Sequence, residues 1–264
     1  MTDDARPVAL ITGAARGLGA ACARQLAGDG WAIVAVDICA DIPQLRYALS
    51  TRADLDATVA RCGPDAIGVV ADVRDQSQLD AAVAAAEERF GRLDAAVAAA
   101  GVIGGGEPGW GIDDATWQVN LDVNLTGVWR TAKAAIPAML RVPRPRAGRF
   151  VAIASAAGMR GNATIADYTA AKHGVVGLVR SLAIELGTRG ITANAVAPGS
   201  TETAILQASA DLYGLASTDE FKVHHPIGRN LQPEEIAEGV AWLCDRRRGG
   251  VTGIVLPIDG GMTL

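Results

Sequence analysis

Aromatic residues are scarce in this chain, at 4% of 264. Its core must therefore be filled by alanine and aliphatic side chains packed closely between helices and a sheet. Cysteine is scarce as well. Cys22, Cys39, Cys62 and Cys244 are scattered without metal-ligand spacing and read as reduced packing thiols of a cytoplasmic protein. The three histidines, of which His224 and His225 are adjacent, form no recognisable metal set. No apolar run reaches the roughly 18 residues of a membrane span, and no signal peptide is read ahead of Val8. Positive charge is in the minority, with a net charge of -5, which argues against nucleic acid or an anionic membrane as partner. The local basic stretches, Arg141 to Arg149 and Arg246 to Arg248, read as solvated loops.

What is present is an alternation of short apolar runs with alanine-rich helical patterns, which predicts an α/β fold occupying residues 1–264 as one domain. Val8 to Thr12 reads as a buried strand. It runs directly into Gly13-Ala14-Ala15-Arg16-Gly17-Leu18-Gly19 and then an amphipathic helix to about Asp29. Strand, glycine loop and helix together make a phosphate site: the glycines let a pyrophosphate approach backbone N–H groups at the positive end of the helix. A second strand, Ala32 to Val36, ends at Asp37, where a carboxylate can accept both hydroxyls of an adenosine ribose and would repel a 2′-phosphate. NAD is favoured over NADP.

Further strands are predicted at Ile67 to Ala71, Ala95 to Ala99, Phe150 to Ala154, Thr192 to Ala197 and Gly253 to Ile258. Asp72-Val73 follows the third and is placed to flank an adenine. Gly104 to Gly106 and Trp110 read as a flexible loop, and a long helix runs from about Asp113 through Asn124 towards Leu140, bent by Pro137. Asn124 is either a satisfied core asparagine or a water-holding site residue. The segment from Cys39 to Ser50 reads as a long loop at the cofactor edge, and Ser50 or Thr51 caps the helix that follows. Ser200 to Asn230 reads as an aperiodic, mobile lid over a substrate pocket.

Chemistry is concentrated in Asp167-Tyr168-Thr169-Ala170-Ala171-Lys172. Tyr168 and Lys172 are four apart on one helix face. An ammonium beside a phenol favours the phenolate and lowers its pKa towards the range useful for proton transfer. Ser155, at the end of the fifth strand, can hold a carbonyl or alcohol oxygen beside Tyr168.

The set Thr12-Gly13-x-x-x-Gly17-x-Gly19, Asp72, Asn124, Ser155, Tyr168-x-x-x-Lys172, Pro198-Gly199 and Asp259-Gly260-Gly261 resembles the short-chain dehydrogenase/reductase family nearly end to end. The resemblance implies a doubly wound Rossmann-type sheet of seven parallel strands with helices on both faces, and a homotetramer. It implies that Tyr168 is the general acid/base, that Lys172 lowers its pKa and holds the nicotinamide ribose, that Ser155 orients the substrate and that Asn124 holds a relay water. Cofactor contacts carried over in the same way are Gly13, Arg16, Gly17, Leu18, Gly19, Asp37, Ile38, Asp72, Val73, Ala99, Ala100, Gly101, Tyr168, Lys172, Pro198, Gly199, Thr201 and Thr203. The chain departs from the family where Ala98-Ala99-Ala100-Gly101 replaces Asn-Asn-Ala-Gly, which removes side-chain hydrogen bonds that buttress the fourth strand. A second departure places Asn230-Leu231 after Gly228-Arg229, where a glycine is common.

Asp37-Ile38-Cys39-Ala40 with Tyr47, Thr51, Asp54-Leu55 and Thr58-Val59 is similar to an insertion of the mycofactocin-coupled, carveol-dehydrogenase-like members. That likeness implies a held NAD, reoxidised by mycofactocin, and a small hydrophobic, secondary alcohol as substrate. The alternatives are an ordinary member exchanging free NAD(H), of hydroxysteroid or 3-oxoacyl type, and a non-catalytic dinucleotide-binding module.

Overall fold

The computed structural model describes residues 6–264; residues 1–5, part of the stretch read above as carrying no signal peptide, lie outside them. Seven strands form one parallel sheet: β1 Val8–Thr12, β2 Ala32–Asp37, β3 Ala66–Val70, β4 Ala95–Ala98, β5 Gly148–Ile153, β6 Ile191–Pro198 and β7 Val255–Ile258. Their order is β3-β2-β1-β4-β5-β6-β7, and every pair is parallel. Strand order reverses between β1 and β4, so the crevice of an open α/β sheet opens beyond the carboxyl ends of these two strands.

Alternation along β1 shows why the sheet is covered on both faces. Val8 and Leu10 point into one core, shared with α3 (Gln76–Phe90), α5 (Gly127–Arg141) and α6 (Ala166–Leu186). Ala9 and Ile11 point into the other, shared with α1 (Gly17–Gly28), α2 (Arg52–Cys62) and α8 (Pro233–Cys244). Burying a Leu or Ile of this kind stabilises by about 1.5–3 kcal/mol. Strand positions filled by alanine, such as Ala95, Ala96 and Ala98 in β4, let the helices approach closely.

Helix ends follow local chemistry. Thr51 and Asp54 form a capping box that starts α2, and Asp75 accepts from Ser77 and Gln78 N–H at the start of α3. Asp113 caps α4 (Asp114–Leu121), which runs through a π-helical turn, Asp122–Thr126, into α5. The long helix is therefore interrupted at Asn124, and Pro137 lies inside α5.

Three sequence expectations change. The lid is not aperiodic: it contains α7, Ala204–Tyr213, capped by Thr203, and a 3-10 segment, Thr218–His224. Gly104 to Gly106 serve close approach. A Cβ at Gly104 would meet Asn120 Nδ2 at 2.7 Å and one at Gly105 would meet Thr164 O at 2.6 Å, while Gly106 N–H donates to Thr164 O at 2.8 Å. Arg149 is not in a solvated loop but 1% exposed in β5, where its guanidinium donates to the carbonyls of Asp245 and Arg246. Among the described residues, no helix is long and apolar enough to cross a membrane, and no group of three or more His, Cys, Asp and Glu is placed to hold a metal ion.

Candidate active site

A cleft of about 510 Å³ lies over the carboxyl ends of the strands. Every residue singled out above for catalysis or cofactor contact lines it except Asn124. At its floor the chain leaves β1 through Gly13, in the left-handed region at φ +67°, where a Cβ would sit 2.7 Å from Ala100 Cα. A Cβ on Gly19 would fall 2.1 Å from Gly13 O. Only glycine permits this turn, and it delivers the N-terminus of α1, with no acidic side chain in its first turn, to the cleft. The cradle suits a pyrophosphate. Thr203, whose hydroxyl accepts from Leu206 N–H at 3.3 Å, comes down on the same loop, with its methyl 3.5 Å from the Cβ position of Gly17.

Asp37 ends β2 at the cleft edge and is 6% exposed. Its carboxylate accepts from Ala15 N–H at 3.0 Å, from Cys39 N–H at 3.2 Å and from the hydroxyl of Ser50. Asp72 faces the cleft with its carboxylate engaged by Arg74, Nη2 to Oδ2 at 2.6 Å. At the exit of β4, Thr12 Oγ1 accepts from Ala99 and Ala100 N–H, backbone contacts that the alanines leave in place.

Ser155 and Tyr168 line the same stretch of the cleft, with the Ser155 side chain near enough to favour the Tyr168 phenolate. Ser155 Oγ also accepts from Ala157 N–H at 3.1 Å, which fixes its rotamer at the end of β5. Lys172 Nζ donates to Ile153 O at 2.9 Å and lies 5.5 Å from the centre of the Tyr168 ring. Burial dominates both groups. It pushes Tyr168 up to about 12 and Lys172 down to about 8. The downward pull expected of Lys172 on the phenol does not emerge in the cofactor-free cleft; burial dominates, and the Ser155 side chain is what favours the phenolate.

Asn124 sits behind the cleft wall. Its amide accepts from Val102 N–H at 3.1 Å and donates to Val102 O at 3.0 Å and Asn120 Oδ1 at 3.2 Å. Both side-chain N–H groups are thus used within the protein. Asn120, which the sequence did not single out, continues the chain to Asp167 Oδ2 at 2.7 Å, and burial raises the Asp167 carboxyl.

The lid is tied down at both ends. Leu231 N–H donates to Ser200 O at 2.9 Å, and the buried His225 accepts from Ser200 N–H at 3.1 Å through Nε2 and pairs with Arg229 O at 2.7 Å through Nδ1. Asn230, the departure from glycine, is 4% exposed and donates to Glu202 Oε1 and Thr218 O. The loop from Cys39 to Ser50 is anchored across the cleft. Arg16 Nη2 donates to Ala48 O at 2.8 Å, and the Tyr47 hydroxyl accepts from Ile103 N–H at 3.0 Å. Neither Tyr47 nor His225 carries a sequence signal of these partners, which lie 56 and 25 residues away.

Cradle, acidic strand end and serine–tyrosine–lysine set meet in one cleft, and similarity to known proteins decides what that cleft belongs to. A family model described as enoyl-(acyl carrier protein) reductase matches residues 13–263. The chain belongs to the short-chain dehydrogenase/reductase family. It is 42% identical over 268 residues to an uncharacterized oxidoreductase of Mycobacterium tuberculosis, covering 96% of this chain and 95% of that one. It is 38% identical over 272 residues to (-)-trans-carveol dehydrogenase of Rhodococcus erythropolis, covering 97% of each. The crystal structure of carveol dehydrogenase from Mycobacterium avium in complex with NAD superposes with a TM-score of 0.92, at 36% identity and 98% coverage of each chain. The doubly wound sheet and the enzyme class, an oxidoreductase, follow from this membership.

Proposed function

We propose that this short-chain dehydrogenase oxidises a small hydrophobic, secondary alcohol to its ketone with NAD. The observation that carries the reading is the convergence of Ser155, Tyr168 and Lys172 in the same cleft as the glycine cradle and Asp37. When bound there, NAD supplies the acceptor for the hydride leaving the carbinol carbon. Ser155 and Tyr168 would hold the alcohol oxygen, and Tyr168 would take its proton as the phenolate, the form that the positive charges of Lys172 and of bound NAD⁺ favour over the neutral phenol of the cofactor-free cleft. Lys172, pinned to Ile153 O, places a positive charge against the ring. Asp37 receives the adenosine ribose, and Gly13, Gly17, Gly19 and Thr203 surround the pyrophosphate. Substrate meets Ile103, Ile165, Ile205 and Phe221, an apolar wall in keeping with a hydrophobic alcohol.

The reading extends to a held cofactor reoxidised in place by mycofactocin, supported by the loop from Cys39 to Ser50 that closes over Arg16 and Asp37. A cytoplasmic homotetramer belongs to it on family likeness. Purified protein tests both levels. NAD(H) carried through purification, one turnover with secondary alcohols and continued turnover only with an artificial acceptor are the expected results. Shortening the loop between Ala40 and Ala48 releases the cofactor and creates dependence on added NAD. Protein that purifies empty and cycles with free NAD removes mycofactocin and leaves an ordinary dehydrogenase; no turnover of any alcohol removes the first reading.

A further inference from the structure

Tyr47 is the only aromatic residue between Cys39 and Ser50. The loop starts and ends beside Asp37, at the ribose end of the cleft, yet it carries this ring to the reacting end. There Tyr47 packs against Ile103, Ile165 and Ala208, the same cluster that receives Tyr168 and Ile205 from the cleft side. Behind this cluster lies a second cavity of about 190 Å³, lined by Tyr47 together with Leu45, Ile112, Thr116, Ala208 and Leu212. Ile103 belongs to the walls of both spaces, whereas Tyr47 lines only the second. A cavity of 190 Å³ is smaller than the roughly 300–1,000 Å³ of a self-standing ligand site. It is better suited to be an annex of the cleft.

We propose that Tyr47 is a specificity-determining residue: with Ile103 it forms the partition between the catalytic cleft and this annex, and so sets the upper size of the substrate. The inference rests on the dehydrogenase reading above and adds to it that the loop over the cofactor, and not the lid alone, limits the substrate. The annex is apolar at Leu45, Ile112 and Leu212, with Gln44, Arg46, Asp113 and Asp211 at its rim. The alcohols it would admit carry a second ring or branched chain, with any polar substituent at the far end. The Tyr47 hydroxyl holds the partition through Ile103 N–H, but the ring is what fills it.

Two variants separate the ring from the hydrogen bond. The ratio of kcat/KM for a bicyclic secondary alcohol to that for cyclohexanol is the readout, taken with NAD retention and melting temperature. Tyr47→Ala is expected to raise the ratio about tenfold and Tyr47→Phe to keep it within about twofold of the unmodified protein, in the range that pocket size confers. Adding Leu212→Trp to Tyr47→Ala refills the annex and returns the ratio towards its starting value. An unchanged ratio in Tyr47→Ala, or an equal rise in Tyr47→Phe, overturns the partition. The same comparison is made by binding, from melting-temperature shifts with the matching ketones. Failure to turn over alcohols then counts against the dehydrogenase reading, while the partition is still judged by which ketones bind.

Discussion

Thr12 Oγ1 accepts hydrogen bonds from both Ala99 N–H, at 3.1 Å, and Ala100 N–H, at 3.2 Å. One hydroxyl at the end of β1 thereby fixes the exit of β4, at the crevice where strand order reverses. Thr12→Val keeps the shape and leaves two backbone donors without a partner. Each buried unsatisfied group costs about 1–3 kcal/mol, so urea unfolding should show a loss of at least that order, with Thr12→Ser retaining most of the stability. An unchanged midpoint would mean that the exit of β4 is held by Gly13 and Asn124 alone.

Tyr168→Phe deletes the transferable proton and almost no volume. Turnover should fall by ~10²–10⁴-fold, the usual contribution of general acid/base catalysis, while NADH fluorescence titration shows near-normal binding. Retention of a large share of activity would transfer the proton step to another group.

Lys172 gives a prediction of stability against pH. Burial lowers its pKa from 10.5 to about 8, so the unfolded chain holds this proton more tightly than the folded one. The ammonium therefore destabilises the fold in full below about pH 8, and the effect fades as pH rises towards 10.5. Lys172→Met, inactive as an enzyme, should melt higher than the unmodified protein at pH 7. The expected difference is on the order of 3 kcal/mol, less what is lost by leaving Ile153 O without its donor. The gap should narrow between pH 8 and 10, and a gap that is constant across that range refutes the assignment.

Asp37→Asn retains shape and removes charge. NAD affinity should weaken by about 1.5–3 kcal/mol, the range for charge-assisted hydrogen bonds, and the preference over NADP should shrink. Isothermal titration with both dinucleotides, after any carried NAD(H) has been stripped, is the check. Equal affinities in the unmodified protein would show that the carboxylate serves only Ala15, Cys39 and Ser50.

The sheet was legible because each strand is a short, largely apolar run followed closely by a glycine, an aspartate or a serine. The cofactor cradle was legible for the same reason: Gly13, Gly17 and Gly19 are dictated by local backbone geometry. Features that depend on distant partners were not. Asn124 left two readings open because its partner, Val102, lies 22 residues away. The ten residues of α7 were hidden because Thr203, read as a cofactor contact, also caps the helix. Lys172 was expected to act on Tyr168 through charge alone, and spacing carries no information on how deeply the two are buried.

Gly104, Gly105 and Gly106 border the annex but resist side chains: a Cβ would fall 2.7 Å from Asn120 Nδ2 at Gly104 and 2.6 Å from Thr164 O at Gly105, and Gly106 sits in the left-handed region at φ +96°. For anyone reshaping this enzyme, that stretch is closed to variation, however near it lies to the substrate. Directed evolution has freedom on the opposite walls, at Tyr47 in the loop and at Ile205, Ser209 and Tyr213 on α7. Libraries built on those four positions sample new substrates, with phenylalanine at Tyr47 giving up the bond from Ile103 N–H and other replacements the ring as well.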